Sequence, residues 1–241
     1  MLLVAEIGLN HEGNFDMAYE LIRQASLSGA DIAKFQFGWR SSEGELNHIT
    51  PRMAHRLKDW CDFWEVDFMA SIISEEALEL IRPLNPKRYK IASRTVVDKP
   101  DLVKRVLDQG KETFVSLGFW NEDGYPFGLP DEDLRYIFCR SIYPTYPGDL
   151  KDLPHKFSES AHYGYSDHMH GIEGCLLALS RGARFIEKHF TLDKTIQSVH
   201  RDHILSATPD ELRMLSDIGR PLARLAGVVD EEIQGIKGVP Q

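Results

Sequence analysis

Eight short apolar runs rich in β-branched residues alternate with amphipathic stretches along the 241-residue chain. We predict strands over residues 2–7, 31–37, 66–71, 87–92, 112–117, 135–141, 161–166 and 184–189. Between most of them the apolar residues recur at three- and four-residue spacing, as in segment 18–25, which predicts helices. Strand–helix alternation indicates a parallel sheet, and eight is the number of strands that closes such a sheet into a barrel. The predicted fold class is therefore α/β, a (β/α)8 TIM barrel.

The segment after the first predicted strand disfavours the main alternative, an open doubly wound sheet. The dinucleotide-binding form of that sheet carries G-x-G-x-x-G at this point, whereas residues 8–13 read GLNHEG. We expect one barrel domain over residues 1–225 and a short polar tail over 226–241. Segment 118–130 is rich in glycine, proline and aromatic residues, which predicts either an active-site loop after the fifth strand or a long surface connection.

Charge and composition exclude several classes of protein. The chain has 28 Lys and Arg against 37 Asp and Glu, a formal charge of −9, and lacks the basic run that nucleic-acid binding requires. The first five residues lead into Glu6 without a basic or cleavable leader, and no apolar run is long enough to span a membrane. Three scattered cysteines predict neither disulfides nor a structural zinc site. We therefore expect a cytoplasmic protein with no nucleic-acid or membrane partner.

Polar residues stand at the carboxyl end of every predicted strand. In chain order they are Glu6, Asn10, His11, Lys34, Gln36, Ser71, Lys90, Ser93, Ser116, Ser141, Tyr143, Ser166, Asp167, His168, Glu187 and His189. In a barrel these strand ends meet at one mouth, which is where the active sites of this fold lie. The pattern therefore predicts a functional pocket at that mouth.

Two lysines in this set favour an anionic ligand. Lys34 and Lys90, together with strand-end serines, could surround a phosphate or a carboxylate with cationic and hydroxyl donors. Lys34 could instead form a structural ion pair with Glu6 or Glu187, and the sequence leaves both interpretations open.

Two histidines favour a metal ion. His168 and His189 follow adjacent strands and could offer two imidazoles to one divalent cation. A histidine at a strand end can equally be a hydrogen-bonded structural residue, so spacing alone does not decide between the two roles.

Six segments, taken in chain order, resemble motifs of the sialic acid synthase family. They are residues 5–13 (AEIGLNHEG), 34–36 (KFQ), 89–93 (YKIAS), 143–145 (YPT), 164–168 (GYSDH) and 187–193 (EKHFTLD). With their flanking residues they run from residue 5 to about residue 206, which is most of the chain. Each motif alone is modest, but six in order are specific.

The resemblance implies a site for phosphoenolpyruvate, a sugar-derived aldehyde and a divalent metal ion, Mn²⁺ or Mg²⁺. The implied phosphoenolpyruvate contacts are Lys34, Lys90, Ser93, Ser116 and Ser166, with Ser71 and Ser141 at the edge of that pocket. The implied metal ligands are His168 and His189, and the implied sugar contacts are Gln36, Tyr143 and Asp202. Our candidate catalytic residues are Glu6, Lys34, Gln36, Lys90, His168 and His189.

The implied reaction forms a carbon–carbon bond, so the protein is expected to be a transferase. The metal ion would polarise the aldehyde, and C3 of phosphoenolpyruvate would attack it. Water would add at C2, and cleavage of the C–O bond would release phosphate and a 2-keto-3-deoxy (nonulosonate-like) acid.

Three departures from the family pattern fall on the acceptor side. Thr95 stands where the family carries a glutamate, and residues 200–203 read HRDH where the family has Gly-Pro-Asp. The chain given also stops at Gln241, before the family's C-terminal antifreeze-like domain. We therefore expect an acceptor other than N-acetylmannosamine, with Arg94 or Arg201 binding an acidic or phosphorylated group.

Three further interpretations stay open at this point. The chain could be a non-catalytic barrel that binds anions or sugars, or a homologue that depends on a partner. It could also be a Schiff-base aldolase acting through Lys90 or Lys188. The family resemblance further implies a homodimer, with a separate chain as a source of the antifreeze-like domain.

Overall fold

Eight parallel strands close into a barrel in the computed structural model, which describes residues 1–198, 200 and 202–228. Each strand pairs with its neighbours in chain order, and the first pairs with the last. The strands are β1 (Leu2–Gly8), β2 (Ile32–Phe37), β3 (Asp67–Ile72), β4 (Tyr89–Ile91), β5 (Thr113–Ser116), β6 (Leu134–Cys139), β7 (His162–Asp167) and β8 (Phe185–His189). The predicted TIM barrel is confirmed.

Helices cover the outside of the barrel. They are α1 (Phe15–Leu27), α2 (Pro51–Phe63), α3 (Glu75–Ile81), α4 (Ser93–Asp98), α5 (Pro100–Leu107), α6 (Glu173–Ser180), α7 (Asp202–Leu205) and α8 (Pro209–Leu225). Short 3-10 helices occur at Arg82–Leu84, Pro147–Leu150 and Phe157–Glu159. Local sequence determines where several helices begin. At α8, Thr208 and Glu211 form a reciprocal capping box, and Pro209 lies in the first turn.

The connection from β5 to β6 departs from regular alternation, because residues 117–133, all of them described, form no helix. This stretch contains the glycine- and proline-rich segment 118–130, which cannot sustain helical hydrogen bonding. Tyr125 instead stacks on Tyr136 of β6 with ring centroids 5.0 Å apart, and the Tyr136 hydroxyl donates to the carbonyl of Gly128 (3.0 Å). The segment therefore folds back against β6, while Phe119 near its start lines the pocket at the barrel mouth.

The barrel interior is divided into an apolar layer and a polar layer. The apolar layer lies in the lower half of the strands and consists of Val4, Ile32, Met69, Phe114, Ile137 and Phe185. Successive side chains in a strand alternate between its two faces, so the residue two positions further along again points inward. Those next positions are Glu6, Lys34, Ser71, Ser116, Cys139 and Glu187. The apolar layer therefore lies beneath a polar pocket at the carboxyl ends of the strands.

The predicted boundary between barrel and tail at residues 225 and 226 stays a prediction. Helix α8 ends at Leu225 and Val228 is still buried, while residues 229–241 lie outside the described residues. Among the described helices, none combines the length and hydropathy needed to cross a membrane.

Candidate active site

A pocket of about 500 Å³ opens at the carboxyl ends of the strands, and all eight strands contribute to its walls. Of the predicted site residues, those that line it are Glu6, Lys34, Gln36, Ser71, Lys90, Ser93, Arg94, Ser116, Ser141, Tyr143, Ser166, His168 and His189. Asp202 lies beside the pocket, with Oδ2 3.9 Å from Nδ1 of His189. Arg201 lies outside the described residues. Segments up to 183 residues apart in sequence, from Glu6 to His189, thus meet at one mouth.

Three polar strand-end residues are directed elsewhere, because Asn10, His11 and Asp167 are absent from the described lining. Asn10 Nδ2 donates to the carbonyl of Phe190 (2.8 Å), which joins the end of β1 to the end of β8. Asp167 Oδ2 accepts from Nζ of Lys188 (2.8 Å), and both side chains are fully buried. These residues fix the loops around the pocket, and Lys188 is directed away from it.

The pocket floor contains a buried ion pair. Lys34 Nζ lies 2.6 Å from Glu6 Oε2 and 3.6 Å from Glu187 Oε2, and it donates to Ser71 Oγ (2.8 Å). The structural ion pair considered for Lys34 is therefore present, in the same pocket as the predicted anion contacts. Both interpretations of this lysine are compatible with its position.

Lys90 forms the second cationic contact of the floor. Its Nζ donates to Ser116 Oγ (2.6 Å) and lies 3.9 Å from Glu187 Oε1. Glu187 in turn accepts from Ser166 Oγ (2.8 Å). Glu187 thus lies between the two lysines. Sequence reasoning placed it at the barrel mouth and considered it as an ion-pair partner of Lys34, but missed its second contact, with Lys90. Its position two residues before His189, on the same face of β8, was the available signal.

The charge states of these groups follow from burial and proximity. Burial raises the pKa of Glu6, and the neighbouring Glu187 carboxylate adds to that effect. For Glu187, burial is outweighed by Lys34, Lys90 and the Ser166 hydroxyl, which lower its pKa to about 2. Burial opposes ionisation of Lys34, but the two carboxylates raise its pKa overall. Burial and the nearby Lys34 lower the pKa of Lys90. The floor thus pairs one carboxylate that the lysines keep ionised with a second, Glu6, whose pKa is shifted upwards by burial.

A glycine at the end of β1 allows Glu6 and Gln36 to meet. Gln36 Nε2 donates to Glu6 Oε1 (2.9 Å) directly beside Gly8. A Cβ atom at Gly8 would lie 3.0 Å from Glu6 Oε1 and 3.2 Å from Gln36 Nε2, and Gly8 has φ +53°. Both the space and the backbone conformation therefore favour glycine at this position.

The two predicted metal ligands lie together at one side of the pocket, with His168 and His189 ring centroids 5.5 Å apart. His168 Nδ1 lies 2.7 Å from the carbonyl of Arg140. A carbonyl only accepts, so this nitrogen carries the proton and Nε2 keeps a free lone pair. His189 Nδ1 is buried without a hydrogen-bond partner among the described residues. Burial lowers the pKa of His189 and lowers that of His168 to about 4. Two neutral imidazoles suit a divalent cation.

The outer wall of the pocket is more open and aromatic. The guanidinium carbon of Arg94 lies 4.6 Å from the ring centroid of Phe119, and Thr95 lines the wall next to it. Trp39, half exposed, also lines the pocket. Sequence reasoning missed Trp39, although it follows closely after a strand end, whereas Phe119 belongs to segment 118–130, for which an active-site loop was one of two predictions. This half of the pocket can accommodate a polar molecule with an anionic group.

Comparison with known proteins agrees with this architecture. The NeuB family model matches residues 42–230. Human N-acetylneuraminate-9-phosphate synthase is 30% identical over 93% of this chain and 71% of its own length. Campylobacter jejuni N,N'-diacetyllegionaminic acid synthase is 29% identical over 94% of this chain and 77% of its own length. A crystal structure of N-acetylneuraminic acid synthetase from Leptospira borgpetersenii matches with a TM-score of 0.79 at 27% identity, covering 95% of this chain and 86% of that one. The chain belongs to the NeuB family.

Proposed function

We propose that this protein condenses phosphoenolpyruvate with a sugar-derived aldehyde, giving a 2-keto-3-deoxy acid of the nonulosonate type and inorganic phosphate. The observation that carries the proposal is the composition of one pocket. Two buried lysines with hydroxyl partners lie on its floor, and a pair of neutral histidines lies at its side. Family membership supports the same reaction class.

The floor would bind the donor through Lys34 and Lys90. In the free protein their charges are balanced by Glu6 and Glu187, so an added anion needs compensation. Protonation of Glu6, which burial favours by raising its pKa, would leave the lysines in excess of the carboxylates. Serine hydroxyls at Ser71 and Ser116 already contact the two ammonium groups and can turn towards a phosphate or carboxylate.

His168 and His189 would hold the divalent cation, Mn²⁺ or Mg²⁺. The fit rests on the free Nε2 lone pair of His168 and on the buried, unpartnered Nδ1 of His189 among the described residues. When bound, such an ion supplies Lewis acidity that polarises the aldehyde carbonyl. Asp202, 3.9 Å from His189, is positioned to orient that imidazole or to contact the sugar.

The protein side chains would assist formation of the C–C bond, addition of water and cleavage of the C–O bond. C3 of phosphoenolpyruvate forms the new bond to the aldehyde carbon, whose oxygen becomes a hydroxyl. Water then adds at C2, and the C2–O bond to phosphate breaks. Lys34 and Lys90 stabilise the departing dianion, a charge that is larger after cleavage than before it. Glu6, protonated when the donor binds, would give its proton to the oxygen of the former aldehyde. As a carboxylate it would then take the proton that the adding water loses, a role for which Thr95 offers no carboxylate.

For the acceptor, we propose an aldehyde smaller or more acidic than N-acetylmannosamine. Thr95 is buried in the wall where the family resemblance implies a glutamate, and the adjacent Arg94 lines the pocket as an added cation. The relatives do not decide the acceptor, because two synthases of different products are 30% and 29% identical to this chain. A site built to bind one polar group discriminates strongly against ligands that leave it unpaired.

The acceptor proposal is tested by phosphate release from phosphoenolpyruvate with Mn²⁺ across a panel of aldoses, uronic aldehydes and sugar phosphates. We expect an acidic or phosphorylated acceptor to exceed N-acetylmannosamine in kcat/KM, and Arg94→Gln to reduce that preference. Efficient turnover of N-acetylmannosamine would overturn the acceptor assignment. No turnover with any acceptor would favour a non-catalytic binding barrel or a partner-dependent homologue.

One observation favours a second chemistry, a Schiff-base aldolase acting through Lys90. Burial lowers the pKa of this lysine, which is the property that a nucleophilic amine needs. Borohydride reduction in the presence of pyruvate distinguishes the two reactions. A covalent adduct on Lys90 would support the aldolase, and our proposal expects none.

Two further aspects of the proposal concern the setting of the reaction. We propose that the protein acts in the cytoplasm. The three cysteines support this location, because all are buried as free thiols. The homodimer and the separate antifreeze-like chain stay predictions, which sedimentation analysis of the purified chain would test.

A further inference from the structure

Outside the pocket, a second group of potential metal ligands joins the loop after β1 to the connection after β8 and to α7 itself. It consists of Glu12, His200 and His203, whose ligand atoms all lie within 4.8 Å of one another. We propose that these three residues form a second metal site, which takes a Zn²⁺-type transition ion. Nothing in the reaction proposed above uses them.

His203 contacts Thr191 through Nδ1 and Glu12 through Nε2. Thr191 Oγ1 lies 2.7 Å from His203 Nδ1 and 3.1 Å from the carbonyl of Asp193, and its single proton can be donated to either. When the carbonyl of Asp193 receives that proton, a neutral His203 carries its own proton on Nδ1 and presents the lone pair of Nε2 to Glu12. That nitrogen lies 2.8 Å from Glu12 Oε1. Two acceptors at this distance repel each other unless a cation or a second ring proton lies between them.

His200 contributes a second nitrogen to the same oxygen. Its side chain is only 9% exposed, and Nε2 lies 2.7 Å from Glu12 Oε1. Within the described part of the chain, this contact with Glu12 does not have hydrogen-bond geometry. Nδ1 lies 3.6 Å from Asp202 Oδ2, so a carboxylate stands behind the imidazole. A cation between His200 and Glu12 would satisfy both groups.

The donor set indicates the class of metal. Two imidazole nitrogens with one carboxylate oxygen and an open fourth position match the His₂Glu coordination of zinc sites. Mg²⁺ and Ca²⁺ prefer all-oxygen sites, so this cluster would discriminate against them. Thr191 and Asp202 supply the outer contacts that orient such histidines.

This site is separate from the histidine pair in the pocket but adjacent to it. Asp202 lies between them, with Oδ2 3.9 Å from His189 Nδ1 and 3.6 Å from His200 Nδ1. An ion held by Glu12, His200 and His203 would therefore fix the segment that carries Asp202 against the loop after β1. That loop places Glu12 in the left-handed region, at φ +53°, which is uncommon for a residue with a side chain.

The test uses Zn²⁺ alone as the probe, in the full chain with His168 and His189 both replaced by alanine. Removing that pair makes the result independent of the proposed reaction and of its metal. We expect calorimetry to give one Zn²⁺ per chain in this background, and Co²⁺ in place of Zn²⁺ to give the visible absorption of a low-coordinate N/O site. Adding Glu12→Gln or His200→Ala to this double variant should weaken Zn²⁺ binding at least about tenfold. Removing a residue that merely orients a metal ligand already costs about that much affinity.

His55→Ala is the matched control, because His55 lies exposed on α2 and bonds only within its own helix turn. Circular dichroism of each variant establishes that the barrel is folded, and Glu12→Gln removes the charge with little change of shape. Absence of Zn²⁺ binding in the double variant, or binding equally tight in Glu12→Gln, His200→Ala and His55→Ala, would overturn the site. The cluster would then be a structural contact between Glu12 and the two imidazoles.

Discussion

Replacing Lys90 by methionine should weaken phosphoenolpyruvate binding while leaving the barrel folded. The side chain is 2% exposed, and methionine keeps its length against the same neighbours. The change removes the Nζ that donates to Ser116 (2.6 Å) and lies 3.9 Å from Glu187. One charge-assisted hydrogen bond contributes about 1.5–3 kcal/mol, which corresponds to a roughly 10- to 150-fold increase in Kd. Glu187 also loses one of its two cations, so the upper part of this range is expected.

Isothermal calorimetry with phosphoenolpyruvate measures this loss directly. Lys99→Met is the matched control, because Lys99 lines the same pocket but is exposed and donates only to the carbonyl of Ile73 (2.8 Å). An exposed cation contributes at most about 1 kcal/mol, so its loss should change Kd by less than about fivefold. If Lys90→Met changes the Kd by no more than Lys99→Met does, Lys90 does not bind the donor.

Three other predictions concern metal binding, acid stability and backbone conformation. Replacing His168 and His189 together by alanine should abolish Mn²⁺ binding to the pocket in calorimetry, and unchanged affinity would contradict the ligand assignment. His162 is half-buried, and desolvation lowers its pKa from 6.5 to about 4, so the unfolded chain binds its proton more tightly and stability falls as pH drops through this window. At about pH 5 this effect lowers the free energy of unfolding by up to about 2 kcal/mol. In urea unfolding, His162→Asn should therefore lose less stability between neutral pH and pH 5 than the wild type does. Equal losses would refute the prediction. Gly8→Ala should lower the free energy of unfolding by about 1 kcal/mol or more, because φ +53° disfavours alanine. It should also weaken phosphoenolpyruvate binding, because the added Cβ meets Glu6. A variant as stable as the wild type would refute the prediction.

The sequence predicted the barrel well because one rule governs most of the strands. Apolar inward residues of the lower layer are followed two positions later by polar ones, as in Ile32 and Lys34 or Phe185 and Glu187. That periodicity is visible without coordinates, and strand ends of a barrel have only one mouth at which to meet. Most predicted site residues therefore line the pocket.

What the sequence could not give were contacts that depend on three dimensions. The position of Glu187 between Lys34 and Lys90 depends on the relative heights of three strands, and so does the raised pKa of Glu6. Glu12 and His203 are 191 residues apart, and nothing in their local sequence indicates that they meet. The missing helix between β5 and β6 follows from glycine and proline content, but its replacement by aromatic stacking on Tyr136 does not.

The most direct measurement follows the carbon–carbon bond itself. The full chain is incubated with [3-¹³C]phosphoenolpyruvate, Mn²⁺ and the best acceptor of the aldehyde panel, and ¹³C and ³¹P NMR are recorded together. Our account predicts a labelled methylene carbon bonded to the former aldehyde carbon in a 2-keto acid, with one inorganic phosphate released per new bond. The variant lacking His168 and His189 should form neither. If phosphate is released while the acceptor stays unchanged and the label appears in pyruvate, the protein acts as a phosphatase. That result would contradict the proposed condensation.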